Sequence, residues 1–265
     1  MHKRKFSAGI HNYCDRRCER CDSTGVCLLH DEIEKADRRH KRRGEDPHDL
    51  DVTLEDIRRA LERARRLIAR RARRMGIDLN EIVRQADQVP PVDHALIDEP
   101  PLALEGMCYF KIGQELVKAV GEDINMLCED VGRRSRFMDV KGEATELTKV
   151  SEALDVLSWD ISLVAVKIKR ALGGLFRDGE ADANEDEFHL QDAEATAALV
   201  LHCLDRDTRA LLAIYDWSRD HRDRALDLLA KTERIGRTLK QSLPASIQRF
   251  GSVRVSGSKG GRATT

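Results

Sequence analysis

Four of the seven cysteines fall in one short stretch, YCDRRCERCDSTGVC, from Tyr13 to Cys27. Cys14, Cys18 and Cys21 follow one another at i, i+4 and i+7, so a helical segment would carry all three sulfurs in one stripe. Gly25 supplies a turn residue that would swing Cys27 back toward that stripe. Four thiolates meeting at one point are the ligand set of a tetrahedral zinc ion or of a [4Fe–4S] cluster, both held by deprotonated sulfur. Arg16, Arg17 and Arg20 would offset the negative charge of such a set and favour the thiolates. The predicted metal ligands are therefore Cys14, Cys18, Cys21 and Cys27, with zinc the first reading and a [4Fe–4S] cluster the alternative. Reduced thiols or a disulfide pair are the bland alternative.

The spacing C-x3-C-x2-C also resembles the cluster signature of radical-SAM enzymes. Those enzymes build their site at the mouth of a β/α barrel and leave one iron open, so three cysteines suffice. Here a fourth cysteine follows within six residues and the remainder of the chain reads as helix. The usual zinc arrangement of two separated C-x2-C knuckles is absent, which leaves the metal open between zinc and iron–sulfur. The stretch GIHNYCDRRCERC resembles the N-terminal motif of an uncharacterised family of bacterial proteins, whose pattern has an aromatic where Arg17 stands. EALDVLSW and LDRDTRALLAIYDW are similar to helical segments of that family. The resemblance implies a bacterial origin and a shared cysteine site, and no activity.

A second group of chemically interesting residues lies in the long helices. The predicted helix 144–174 carries two apolar stripes, Leu147 to Leu175 and Val156, Trp159, Leu163, Val166, and Asp160 and Lys167 lie between them on the helical wheel. In the predicted helix 192–218, Asp207 is flanked by Val200, Cys203 and Ile214. Buried charges must be paired or become neutral, so Asp160, Lys167 and Asp207 are expected to meet inside the protein, as a structural network or a proton-handling site. Other signatures fail. No Glu-x-x-His pair of a di-iron bundle occurs in the helical body. Glu143-x-x-Glu146 and Glu152-x-x-Asp155 project to roughly opposite helix faces and could not share a magnesium ion. Walker, Rossmann and nucleophile-elbow patterns are also missing.

The elements that must position these residues are helical. The chain has 265 residues, 35% of them charged and only 4% aromatic, a bias of long solvated helices. Residues 1–75 hold 21 Lys and Arg against 14 Asp and Glu, a net of +7, while the remainder is net −8. A basic front on an acidic body suits a polyanion, or docking on its own or a neighbouring chain.

After Cys27, LLHDEIEKADRRHKRR reads as a charged helix ended by Gly44 and Pro47. Thr53 is the expected N-cap of LEDIRRALERARRLIARRARRM, whose Ile57, Leu61, Ala64, Ile68, Ala72 and Met75 form one stripe. Arg58, Arg63, Arg66, Arg70, Arg73 and Arg74 occupy its other faces as a candidate nucleic-acid or acidic-membrane surface, or simply a solvated face. Asp78 and Glu81 look like a capping box for DLNEIVRQADQ. Paired prolines at 90–91 and 100–101 mark a connector.

Four helices follow, 102–132, 144–174, 192–218 and 221–243, each with apolar residues in threes and fours. The fold predicted is all-α, an antiparallel four-helix bundle preceded by a small Cys-rich, Arg-rich helical module. The expected domains are 1–89, a connector 90–101, the bundle 102–243 and a disordered tail 244–265, with a further acidic connector at 174–188. No transmembrane stretch is present and residues 2–10 are too briefly apolar for a signal peptide, so the protein is expected in the cytoplasm. A non-enzymatic, metal-stapled module that binds a protein partner or itself is the function this reading favours, with an Fe–S redox or sensor protein and a nucleic-acid-contacting protein as alternatives.

Overall fold

The computed structural model describes residues 6–7, 9–47, 49–86, 100–175 and 183–244. Most of the expected connector at 90–101, the middle of the acidic stretch at 174–188 and the tail beyond 244 lie outside the described residues. Among the described residues there is no strand. Three 3-10 turns, Ile10–Tyr13, Cys18–Arg20 and Thr24–Val26, precede α1 (Leu28–Arg43), α2 (Leu50–Met75), α3 (Leu79–Ala86), α4 (Pro101–Arg134), α5 (Lys141–Leu175), α6 (Ala183–Trp217) and α7 (Arg222–Ser242). No described helix is long and apolar enough to cross a membrane.

The chain packs as two units. Gly9–Asp22 belongs with His94–Thr265, and Met1–Ala8 with Ser23–Asp93. The first three cysteines of the cluster fall in the same unit as the bundle helices, and Cys27 in the other.

In the bundle unit, α4 packs on α5, α5 on α6, α6 on α7, and α7 returns to α4. Short links at 135–140 and 218–221 force consecutive helices to run antiparallel, giving the four-helix bundle that the periodicity predicted. Leu147, Val150, Leu157, Ile161, Val164, Ile168 and Ala171 of the expected α5 seam are all buried, as are Ala225, Leu228, Thr232, Ile235 and Leu239 of α7. Of the apolar positions expected to form the α4 seam, Gly113, Val120, Ile124 and Val131 are buried and Phe110 and Val117 pack partly buried against the core, while Leu127 is exposed; Tyr109 and Leu116, beside that seam, are fully buried as well. Two glycines set how close this helix comes to its neighbour. A Cβ at Gly106 would lie 2.9 Å from Ile168 Cδ1, and one at Gly113 would lie 2.8 Å from Ile161 Cγ2, so these glycines let α4 approach α5 closely. The second α5 stripe is only partly core: Val156 and Leu163 pack against the core, whereas Trp159 is 47% and Val166 65% exposed. Helix α6 is apolar nearly all round from Ala193 to Leu204 and is the most enclosed of the four.

The other unit is loosely built. Its α1 ends at Gly44, whose positive φ of 70° closes the helix and lets Glu45 N–H reach the His40 carbonyl. Helix α2 starts at Leu50, earlier than the expected Thr53 cap, because Asp49 already accepts from the backbone N–H groups of Asp51 and Val52. Thr53 instead lies within the first turn and donates its hydroxyl to the Asp49 carbonyl. Asp78 accepts from Asn80 N–H at the start of α3, in keeping with its expected capping role. His40 is buried, with Nδ1 2.7 Å from Glu45 and Nε2 2.8 Å from Asp56, and so ties α1 to the first turns of α2. Of the expected α2 stripe only Ala72 is buried; Ile57, Leu61, Ile68 and Met75 stand exposed.

Candidate functional site

The cysteine segment is not an α-helix. Tyr13 ends one 3-10 turn, Cys14 is extended, and Arg16 has the positive φ of 58° that an L-residue rarely takes. Cys18 starts the next turn, and Cys21 is extended again. The i, i+4, i+7 stripe depended on 3.6 residues per turn and is therefore not formed. Among the described residues, no group of three or more His, Cys, Asp or Glu side chains is gathered closely enough to hold a metal ion. Cys14, Cys18 and Cys21 are each partly exposed in the bundle unit, while Cys27 is a buried residue of the other unit, at the N-terminal end of α1.

What the segment does have is an elaborate seat on α5 and α6. Asp15, which follows the first cysteine, is 2% exposed and accepts from Arg206 Nη1. Arg206 is 13% exposed and grips Asp160 with a two-pronged fork, Nε to Oδ2 at 2.9 Å and Nη2 to Oδ1 at 2.7 Å. The exposed ring of Trp159 finds its role here, because its Nε1 donates to the Asp15 carbonyl at 2.8 Å. Arg17 is buried and pairs with Asp155, and its backbone N–H is held by the Asp15 carboxylate at 3.2 Å. Upstream, Tyr13 donates to Asp192 at 2.7 Å, and Arg170 both pairs with Asp192 and lies 5.6 Å over the Tyr13 ring.

Deeper in the bundle, Tyr109 donates to Asp207 Oδ2 at 2.6 Å, and Asp207 Oδ1 has no hydrogen-bond partner among the described residues. Burial drives the Asp207 carboxyl well above the usual carboxylate range, with the nearby Asp160 charge adding to it. Burial likewise pushes Asp160 up to about 6, held there against the pull of Arg206. The Cys203 thiol, 3.7 Å from Arg206 Nη2, is raised by its own burial and by Asp160, so it stays a protonated, inert thiol. Tyr109 is raised by burial and by Asp207.

Asp160 and Asp207 are both fully buried. Lys167 does not join them. It is half-buried, donates to the Asn12 carbonyl at 3.3 Å, and is lowered by that burial and by Arg170 and Arg16. The expected three-residue network is thus divided among Asp160 with Arg206 and Asp15, Asp207 with Tyr109, and Lys167 with the cysteine segment. Asp15, Arg206 and Tyr109 were the partners missed. Arg206 stands beside Asp207 and three residues after Cys203, on the same flank of α6, which was a usable signal. Asp15 carried none, because it lies 191 residues away.

The remaining candidates are surface groups. Arg58, Arg63, Arg66, Arg70, Arg73 and Arg74 are all exposed on α2. Arg58 pairs with Glu55 and Glu62, while Arg70 and Arg73 donate to carbonyls of their own helix. Each acidic pair on α5 has at least one basic partner: Glu143 with Arg134, Glu146 with Lys149, and Asp155 with Arg17 and Arg20.

No family model, no curated protein and no solved structure matches this chain.

Proposed function

We propose that the protein is a non-enzymatic binding module whose working part is the cysteine segment Gly9–Asp22, held on a rigid helical bundle, and that its thiols take a thiophilic metal ion, zinc in the first place. The observation that carries this reading is the buried Asp15–Arg206–Asp160 chain of charges. Well-packed apolar residues in those places would make a bundle as stable or more stable. Buried charge that joins a loop to two helices fixes position instead, and the segment it fixes is the one with Cys14, Cys18 and Cys21. The bundle thereby supplies the preorganisation that a short Cys-bearing loop lacks by itself.

Metal capture on this reading is coupled to movement of the loop. The three sulfurs have to draw together around the ion, so binding energy is partly spent on ordering, and affinity depends on pH through thiol deprotonation. Zinc in a structural site takes four ligands, so a fourth donor completes the three thiolates.

Metal analysis of anaerobically purified protein tests the proposal. One equivalent of zinc is expected, lost in Cys14→Ser, Cys18→Ser and Cys21→Ser. A brown protein with iron and sulfide would move the reading to the Fe–S alternative. Absence of both metals, together with unchanged thermal stability of Cys14→Ser, removes it.

A further inference from the structure

Helix α2 leaves an unusual amount of apolar surface in water. It is 26 residues long, and along its stripe Leu61 is 67% and Ile68 58% exposed, with Leu50, Leu54, Ile57 and Met75 exposed as well. An isolated helix draws little stability from propensity, and a stripe of this length needs a covering surface.

We infer that α2 pairs antiparallel with α2 of a second copy of this chain. The first argument is symmetry. Leu50, Leu54, Ile57, Leu61, Ala64, Ile68, Arg71 and Met75 alternate steps of four and three, the seam of a coiled coil. Turning the helix end for end about the midpoint of Glu62 and Arg63 lays Leu50 on Met75, Ile57 on Ile68 and Leu61 on Ala64 of the second copy. The pattern is its own complement, as a two-fold interface requires. Only Arg71 interrupts it. That residue falls opposite Leu54, which its aliphatic stem covers while the guanidinium stays in water.

The second argument is charge. Leu50–Glu62 carries Asp51, Glu55, Asp56 and Glu62 against two arginines, whereas Arg63–Met75 carries seven arginines and no acid. Antiparallel pairing sets the acidic half of each helix along the basic half of the other, twice over. Parallel pairing would set seven arginines against seven, so the charges select the direction. Arg58 and Arg65 face each other beside the seam, a local repulsion that their long side chains relieve by splaying outward. A polyanion or an anionic lipid surface would suit the basic half alone and would meet the four acids of the other half unfavourably. Neither makes use of the symmetry of the apolar positions.

Sedimentation equilibrium of the full-length chain at micromolar concentration tests this, with twice the 30.0 kDa chain mass expected. Ile68→Glu puts a carboxylate into the seam at two symmetry-related places and should weaken association by roughly 100-fold or more. Thermal unfolding of the bundle followed by tryptophan fluorescence should match the parent, because Ile68 lies outside the bundle unit and Trp159 and Trp217 lie within it. Direction is read separately: p-benzoylphenylalanine placed at position 57 and irradiated should attach to the second copy near Ile68, as located by mass spectrometry. A chain that stays monomeric, a dimer indifferent to Ile68→Glu, or attachment near position 57 of the second copy each overturns the inference. So does a monomer that binds anionic vesicles or nucleic acid through α2, which gives the face another occupant.

Discussion

Replacing Arg206 by Met removes the guanidinium shared by Asp15 and Asp160 while keeping most of the side-chain volume. Asp15 is 2% exposed and Asp160 fully buried, so two carboxylates lose their cation in a place water does not reach. Deleting one partner of such a buried set costs about 3–5 kcal/mol. With a urea dependence of about 2–3 kcal/mol/M, the unfolding midpoint should fall by roughly 1–2 M. Tryptophan fluorescence is the suitable probe, because the protein's two tryptophans, Trp159 and Trp217, both lie in the bundle unit.

The loss should depend on pH with a definite sign. Asp160 sits at about 6 in the parent through burial opposed by Arg206. Without the arginine its folded-state value rises further above the unfolded value. A carboxyl raised on folding costs stability once pH exceeds its unfolded value, and the cost is complete above its folded value. The deficit of Arg206→Met should therefore be larger at about pH 7.5 than at about pH 5, where the stranded carboxyl keeps its proton. A deficit under about 1 kcal/mol, the scale of an exposed pair, or one equal at both pH values would refute the placement of a buried cation between Asp15 and Asp160.

Gly113→Ala should destabilise the bundle by about 1–3 kcal/mol, because the new methyl meets Ile161 Cγ2 at 2.8 Å across the α4–α5 contact; an unchanged melting temperature would show that α4 stands farther from α5. His40 is raised from its ordinary value chiefly by its hydrogen bond to Asp56 and then by Glu45. Its contribution to stability is therefore complete below about pH 6.5, the unfolded value, and is lost as pH rises through the raised folded value. Hydrogen exchange of the segment 40–53, corrected for the chemical rate, should speed up across that range in the parent and lose this response in His40→Gln; equal responses would free His40 from that role.

How far the sequence could be read follows from the range of each signal. Ile161, Val164 and Ile168 on α5, and Leu228, Ile235 and Leu239 on α7, lie where a period near 3.6 puts them, since that pattern is local and redundant. The full width of the α4 core was less legible, because Tyr109 and Leu116 lie beside the seam and Gly106 acts through what it lacks. The full burial of Asp160 and Asp207 followed from their apolar flanks, but their partners depended on contacts that span the chain. Lys167 was a reasonable mate for Asp160 on the helical wheel, yet Arg206 on the neighbouring helix reaches it with a fork that lysine cannot form. The α2 stripe was legible as a stripe, and its exposure was not, because periodicity tells which residues share a face and not whether anything lies against it. The cysteine spacing misled in one particular: it assumed helix where Arg16 takes a left-handed turn.

The seat of the cysteine segment has a consequence for the growing polypeptide. Arg206 is polymerised 191 residues after Asp15. At about 5–20 residues per second the interval is roughly 10–40 s. Until both α5 and α6 are made, Cys14, Cys18 and Cys21 travel on a nascent chain that lacks part of their seat, first Asp155 and Trp159 and then Arg206. These sulfurs therefore meet oxidants and metal ions before the Asp15–Arg206–Asp160 chain of charges that later holds their segment exists, and, being partly exposed, they still meet them afterwards.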